Sequence, residues 1–179
     1  MAITIRTITL GVADPHPLTR ATLTHAADFL RRAQAAAEAQ GYTVQTTRLA
    51  TRPMLEDLAD TQSWPPAKVI AYGRKLQTMC DDVGIGFLSL GPAPADDPTF
   101  PLDRLPILLA VLAKYPALNA SVQLASEAHG VNYAATMATA QMMRRLAEVS
   151  AETGGEANFR FAALAMCAPG GPFFPQAYH

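Results

Sequence analysis

Charged residues are scarce in this sequence, and cysteine is scarcer still. Only 16% of the 179 residues are Asp, Glu, Lys or Arg, whereas 50% are hydrophobic. Because so few charges are available to cover a surface, we expect much of the chain to be buried in a core or against a partner. The two cysteines, Cys80 and Cys167, are too few for a disulfide framework and form no CxxC metal pair.

Basic clusters, long apolar runs and a leader segment are missing as well. The formal net charge is −1 and the basic residues are scattered, so nothing favours binding to nucleic acid or to a membrane surface. No apolar run approaches the ~20 residues that cross a bilayer. The opening stretch MAITIRTITL alternates like a strand and does not resemble a signal peptide. These absences predict a soluble protein of the reducing cytoplasm.

What the sequence does contain is a regular alternation of strand-like and helix-like segments. Strand patterns lie at residues 3–10, 42–49, 85–90, 120–124 and 158–166, and Gly91-Pro92 is predicted to end the third. Helical spacing of apolar residues lies between them, at residues 18–40, 69–83, 102–115 and 130–152. This alternation predicts an α/β fold of β/α units, with about five mostly parallel strands and helices on the outside.

Three stretches carry a resemblance to a known family: IRTITLG, GYTVQTTRLAT and GGPFFPQAYH. The chain resembles the family called domain of unknown function 711 (DUF711), which is grouped by fold with pyruvate formate-lyase-like (PFL-like) proteins. The resemblance runs from residue 3 to residue 179. It implies half of a ten-stranded β/α barrel, in chains more than twice this length, and it carries no assigned chemistry.

A lone half-barrel is incomplete for a physical reason. Five strands cannot close a barrel, and an open sheet exposes unpaired N–H and C=O groups along its edges. We therefore expect residues 1–179 to form a single β/α domain that needs the remainder of a barrel, another subunit or a second copy of itself. The chain alone is predicted to be a homo-oligomer or to aggregate.

Ligand sites of parallel β/α folds form at the carboxyl ends of the strands. Cys167 follows the fifth predicted strand, and Glu127 and His129 follow the fourth. We take these three as candidate catalytic residues, a thiol nucleophile and a general acid and base. Each also has a plain structural interpretation, as a packed thiol or as polar residues at a helix start. Glu127 and His129 alone are too few for a zinc site, so no metal is predicted.

Arg6, Arg48 and Arg160 are predicted within strands, where arginine is seldom buried without a partner. One interpretation is that they face the barrel interior and bind an anionic ligand. The alternative is pairing with acidic residues, or extension to the strand ends. Gly170 and Gly171 would let backbone amides approach the same anion, although a simple turn also explains them.

Two functional hypotheses remain open. In the first, the chain belongs to an enzyme-like barrel that binds a small anionic metabolite at the carboxyl ends of its strands. In the second, it is a non-catalytic structural or binding subunit of an assembly. The sequence identifies no cofactor, substrate or reaction.

Overall fold

The computed structural model describes residues 3–168 of the chain. The strands in that part are β1 (Thr4–Ile5), β2 (Ile8–Val12), β3 (Thr43–Val44), β4 (Thr47–Thr51), β5 (Leu88–Ala93), β6 (Leu118–Ser126), β7 (Gly130–Val131) and β8 (Phe161–Ala165). The α-helices are α1 (Arg20–Ala39), α2 (Met54–Asp57), α3 (Pro66–Val83), α4 (Leu105–Leu112), α5 (Tyr133–Val149) and α6 (Glu156–Phe159). Among these helices, none is both long and apolar enough to span a bilayer.

Five strands form one parallel sheet in the order in which they occur along the chain: β2, β4, β5, β6 and β8. β7 pairs antiparallel with the end of β6, and β1 with β3 forms a separate two-stranded parallel sheet. The prediction of an α/β fold with five mostly parallel strands is confirmed. Its sequential strand order is the order expected for half of a ten-stranded barrel.

The sequential order also decides where the core lies. Right-handed crossovers between successive neighbours place the connecting helices on the same face of the sheet. On that face, Leu49, Leu88 and Leu118 belong to one buried apolar cluster together with Leu76 of α3 and Leu108 of α4. The main core therefore lies between the sheet and the helices.

The opposite face of the sheet, called the inner face below, is polar. Ala50 is registered with Ser89, and Ser89 with Asn119, so these three side chains share a face. Successive side chains of a strand point to opposite faces, so residues two positions before or after these three lie on the same face as well. The inner face consists of Arg48, Ala50, Ser89, Asn119, Ser121 and Gln123. Its serines, Asn119 and Gln123 are all buried.

The helix ends follow their sequence signals closely. α1 begins after Thr19, whose hydroxyl accepts a hydrogen bond from the Thr22 amide. α3 ends at Gly84, which has the left-handed φ of 75° typical of a helix stop. The fourth helix, α5, begins at Tyr133 and not at the predicted residue 130. Residues 130–131 form β7, and Asn132 caps α5 through its side chain.

The strand limits differ more from their predicted positions. The strands predicted at 3–10 and 42–49 are each divided in two, because the chain leaves the main sheet between β1 and β2 and again between β3 and β4. The third strand does not end at Gly91-Pro92 but continues to Ala93 through a register shift. The fifth strand begins only at Phe161, since the preceding residues form α6.

Gly91 allows β5 to pass close to the loop that follows β4. Its φ is +69°, and a Cβ atom placed there would lie 2.8 Å from backbone atoms of Pro53. Any other residue would both strain the backbone and collide with that loop. The sequence Gly-Pro therefore marks a bulge inside the strand rather than its end.

Candidate functional site

A cavity of about 380 Å³ lies at the carboxyl ends of β6 and β8. The loop after β5, the turn between β6 and β7, and the segment after β8 form its walls. The three predicted catalytic residues, Glu127, His129 and Cys167, line it together. Asp96 and Gln123, which the sequence did not single out, line it as well. We call this space the rim cavity.

The turn between β6 and β7 positions two of the three predicted residues. Glu127 and His129 lie in this turn, and the backbone amide of His129 donates to the Ser126 hydroxyl at 3.2 Å. The helix-start capping role considered for this stretch belongs to Asn132 instead, whose side chain accepts from the Ala135 amide. Glu127 and His129 are therefore held by a hairpin and not by a helix N-terminus.

His129 is oriented by Asp96. The Nδ1 atom of His129 lies 3.3 Å from Oδ2 of Asp96, and Asp96 is only 9% exposed. An ionised carboxylate only accepts hydrogen bonds, so Nδ1 carries the proton in this contact. In the neutral ring, Nε2 is then the unprotonated nitrogen. A histidine whose second nitrogen is held by a carboxylate has the arrangement of a general base.

Cys167 closes the far side of the rim cavity. Its thiol makes a long contact with the Ala165 carbonyl, at 3.6 Å, and its own carbonyl accepts a hydrogen bond from Gln123 Nε2 at 2.9 Å. Met166, just before it, has a left-handed φ of 57°, which is uncommon for a residue other than glycine. That conformation turns the chain at the end of β8 and brings Cys167 to the cavity.

Arg6 and Arg48 lie far from the rim cavity. Arg6 is exposed in the break between β1 and β2, and Arg48 is near the amino end of β4 with its guanidinium 5.3 Å from the ring centre of Phe87. The register places Arg48 six residues before the level of Gln123, which is about 20 Å along the strands. Burial lowers the pKa of Arg48, and the positive charge of Arg6 lowers it further. The two arginines are thus electrostatic neighbours of each other.

Arg160 was predicted within the fifth strand, but it precedes β8 and packs inside the protein. Its guanidinium donates to the carbonyl oxygens of Leu112, Tyr115 and Leu118 at 2.8–3.1 Å. These carbonyls belong to the end of α4 and to the segment that leads into β6. The side chain joins these segments, and its proposed contact with an anion stays a prediction.

A second polar network lies at the carboxyl ends of β2 and β4, around the buried side chain of His16. Its ring nitrogens lie 2.8 Å from the Tyr72 hydroxyl and 2.9 Å from the Thr51 hydroxyl. The Thr51 hydroxyl donates a hydrogen bond to backbone carbonyls, including that of Ser89. Its oxygen therefore accepts a hydrogen bond from His16 Nε2. Burial lowers the pKa of His16 to about 4. This histidine is neutral and its bonds are satisfied, which is typical of a structural role.

The remaining predictions concern glycines and metals. Gly170 and Gly171 lie outside the described residues, so their proposed amide contacts stay a prediction. Between residues 3 and 168 no group of three or more His, Cys, Asp or Glu side chains is placed to hold a metal ion.

Two residues of the rim cavity were missed for identifiable reasons. Asp96 follows β5, but Gly91-Pro92 has the sequence pattern of a strand end, and Asp96 lies beyond the residues that this pattern places at the edge of the sheet. Gln123 lies within β6, between Val122 and Leu124, and a polar residue in an apolar strand was the available signal.

Comparison with protein-family models gives a match. A sequence model of the family described as "Uncharacterised ACR (DUF711)" matches residues 1–179. No curated protein matches the chain. The family expected from the three sequence motifs is confirmed, whereas the grouping with PFL-like proteins stays a prediction.

Proposed function

The chain belongs to the DUF711 family, whose function is uncharacterised, and from this premise we propose that its rim cavity is the site of an acid–base enzyme acting on a small polar metabolite. His129 is the proposed general base and acid, and Asp96 orients it. Glu127 and Cys167 are further candidates for contact with the substrate. The reaction class is proton transfer to or from a bound ligand.

One observation carries this proposal: the convergence of residues from separate segments on one cavity at the carboxyl edge. Asp96 comes from the loop after β5, His129 from the β6–β7 turn and Cys167 from the end of β8. Parallel β/α folds place their sites at this edge. The His129–Asp96 contact supplies a basic Nε2 atom with a fixed tautomer. When Nε2 takes a proton, the carboxylate of Asp96 stabilises the resulting imidazolium.

The charge of the rim cavity argues against an anion as the part of the ligand held there. Its ionisable lining includes the carboxyl groups of Asp96 and Glu127, and Arg48 of the inner face lies about 20 Å away along the strands. The anionic metabolite predicted from the sequence therefore has no support in the cavity itself. A non-catalytic subunit role and a cytoplasmic location also stay predictions.

The chain contains its own reporter for ligand binding at this site. Cys80 is fully buried, and burial raises the pKa of its thiol to about 12. Cys167 is partly exposed and lines the cavity. In the native protein we expect methyl methanethiosulfonate, a small neutral thiol reagent, to modify Cys167 and to leave Cys80 intact. A molecule that fills the cavity slows this modification.

The test is to screen small hydroxy ketones, amino ketones and keto acids, whose carbonyl group acidifies the neighbouring C–H protons, for protection of Cys167 in the full chain, by intact-mass spectrometry. Protective compounds are then incubated in D₂O and followed by NMR for exchange of their C–H protons. We expect His129→Gln to lower the exchange rate at least about a hundredfold. His25→Gln, an exposed histidine on α1, is the matched control and keeps the rate. If no compound protects Cys167, or if His129→Gln leaves exchange unchanged, the proposal is wrong.

A further inference from the structure

A second cavity, of about 450 Å³, lies beside the rim cavity, and His129 and Asp96 line both of them. The rest of its wall comes from the region of α2, from the loop after β5 and from Arg104. We call it the Arg104 cavity. Building on the proposed function, we infer that the ligand is a keto acid, that Arg104 binds its carboxylate in this cavity, and that its ketone lies at His129.

Arg104 is a buried cation without a paired carboxylate. It is only 5% exposed, and its guanidinium forms no ion pair within the described part of the chain. Two of its N–H groups donate to the carbonyl oxygens of Leu55 and Leu58, at 3.4 and 2.8 Å. These bonds satisfy carbonyl groups at the end of α2, which is the structural role of the side chain. They supply no negative charge, and a buried arginine normally has one beside it.

Arg104 also keeps a donor that a ligand can reach. Its Nε–H makes no hydrogen bond with residues 3–168, and this atom is not fully buried, in contrast to Nε of Arg160. Burial lowers the pKa of Arg104, and the negative charge of its neighbour Asp103 offsets this only in part. A carboxylate in the cavity would accept from the guanidinium and balance its charge.

Three carboxyl groups line the same cavity, and they limit the charge that the ligand can carry. Asp96 is engaged by His129, and Asp97 accepts from the amide and the hydroxyl of Thr99, both at 2.7 Å. Glu56 is exposed, so its repulsion is screened by water and salt. A singly charged carboxylate therefore fits this wall better than a doubly charged phosphate does.

The rest of the wall favours a short chain that carries a ketone. Leu55, Pro94 and Phe100 add apolar surface, against which methylene groups can pack. The carboxyl groups of the rim cavity disfavour an anion there, so the uncharged end of the ligand belongs on the side of His129. A ketone acidifies the C–H groups beside it, and such a proton is the one that the proposed base would take.

Three ketones of similar length separate the charge of the ligand from its shape. Levulinate carries a carboxylate, methyl levulinate is its neutral ester, and a trimethylammonium ketone of the same chain length is a cation. Their dissociation constants are measured on the full chain by saturation-transfer NMR titration. We expect levulinate to bind at least about tenfold more tightly than either of the others, because hydrogen bonds between charged groups are the stronger ones.

A variant of Arg104 assigns the effect to its guanidinium. Arg104→Gln is expected to raise the dissociation constant of levulinate at least about tenfold and that of methyl levulinate less than about twofold. Arg74→Gln, at an exposed position of α3 outside the cavity, is the matched control for the lost charge and changes neither.

A second variant keeps Arg104 in place. Glu56→Gln removes a negative charge from the cavity wall and should tighten levulinate at least about twofold, without effect on methyl levulinate. Glu152→Gln, exposed outside the cavity, is its control and should leave levulinate unchanged. Should Arg104→Gln fail to fold, Glu56→Gln and the comparison of levulinate with its ester decide.

The possible outcomes distinguish this inference from the function on which it rests, because the titration uses neither Cys167 nor proton exchange. If the ester or the cation binds as tightly as levulinate, the inference is overturned while the rim cavity remains a ligand site. The same holds if Arg74→Gln weakens levulinate as much as Arg104→Gln does. If no compound of the wider screen protects Cys167 or exchanges its protons, the proposed function fails, and the placement of the ketone at His129 fails with it.

Discussion

His16 illustrates how a single polar side chain is used inside this fold. It sits in the segment between β2 and α1, it is buried, and its two nitrogens join Tyr72 of α3 to Thr51 of β4. Tyr72 in turn accepts from the Leu18 amide at 2.7 Å, and burial raises the pKa of its hydroxyl. One imidazole therefore fixes a strand end, a helix and a loop at once, but only while it is uncharged.

Acidification should weaken the protein through this residue. The unfolded chain takes up a proton on His16 near pH 6.5, whereas the folded chain does so only near pH 4, so acid favours unfolding. The contribution is fully present above pH 6.5 and is lost as the pH falls toward 4, by about 3 kcal/mol in total. Urea unfolding from pH 7 to 4 should show this loss in the wild type and in His25→Gln, and a smaller loss in His16→Asn. An equal pH dependence in His16→Asn would contradict the assignment.

At the scale of elements, the carboxyl edge of the sheet depends on close contacts between neighbouring loops. The bulge in β5 brings Gly91 against Pro53, and Asp57 of α2 binds Arg52 at 2.8 Å and the His16 amide at 2.9 Å. The loop that carries Asp96 begins where this bulged strand ends. We therefore expect a displacement of the bulge to reach Asp96 and its partner His129.

Gly91→Ala should therefore disturb both stability and the site. The new methyl group would collide with the Pro53 backbone at a positive φ, and we expect a loss of about 3 kcal/mol in the free energy of unfolding. Gly86→Ala is the matched control, because a Cβ there meets no atom within 4 Å, and it should change stability by less than about 0.5 kcal/mol. Denaturant unfolding of the two variants measures the difference. Equal stabilities would show that β5 and the loop can move apart without cost.

At the scale of the whole molecule, the described part of the chain presents surfaces that are typical of association. β2 and β8 each pair with one neighbour only, so both ends of the described sheet have an edge strand. Tyr133, Met137 and Phe159 are 79%, 62% and 78% exposed on α5 and α6. Tyr133 and Met137 lie one turn apart on α5, and neighbouring exposed apolar side chains are typical of a contact surface.

We expect the chain on its own to self-associate. Sedimentation equilibrium should give a mass above the 19.1 kDa of a single chain. Ala163→Lys places a charge at an exposed position of the edge strand β8 and should reduce association, whereas Ala140→Lys, at an exposed position of α5, is the control for added charge. A single species of 19.1 kDa at every concentration would contradict the incomplete-barrel interpretation.

The sequence by itself determined the features that depend on neighbouring residues. The apolar spacing and stop signals of α1 and α3 gave their ends closely, and the alternation of strands and helices gave a parallel sheet with helices outside. Glu127, His129 and Cys167 were found because the carboxyl-end rule needs only the approximate ends of β6 and β8. These inferences succeed because propensity, periodicity and capping act over a few residues.

Only the tertiary structure decided the features that depend on distant segments meeting. The bulge at Gly91 exists because Pro53 is adjacent in space, and the shift in the end of β5 is what reveals Asp96. Arg160 reads as a strand residue in the sequence, but the carbonyls it binds come from the end of α4 and the start of β6. The amide nitrogen of Gln123 is held by the carbonyl oxygen of Cys167, which lies 44 residues away along the chain. Such roles depend on polar groups that are distant in sequence and meet in the low-dielectric interior, and a local sequence pattern does not show which groups meet.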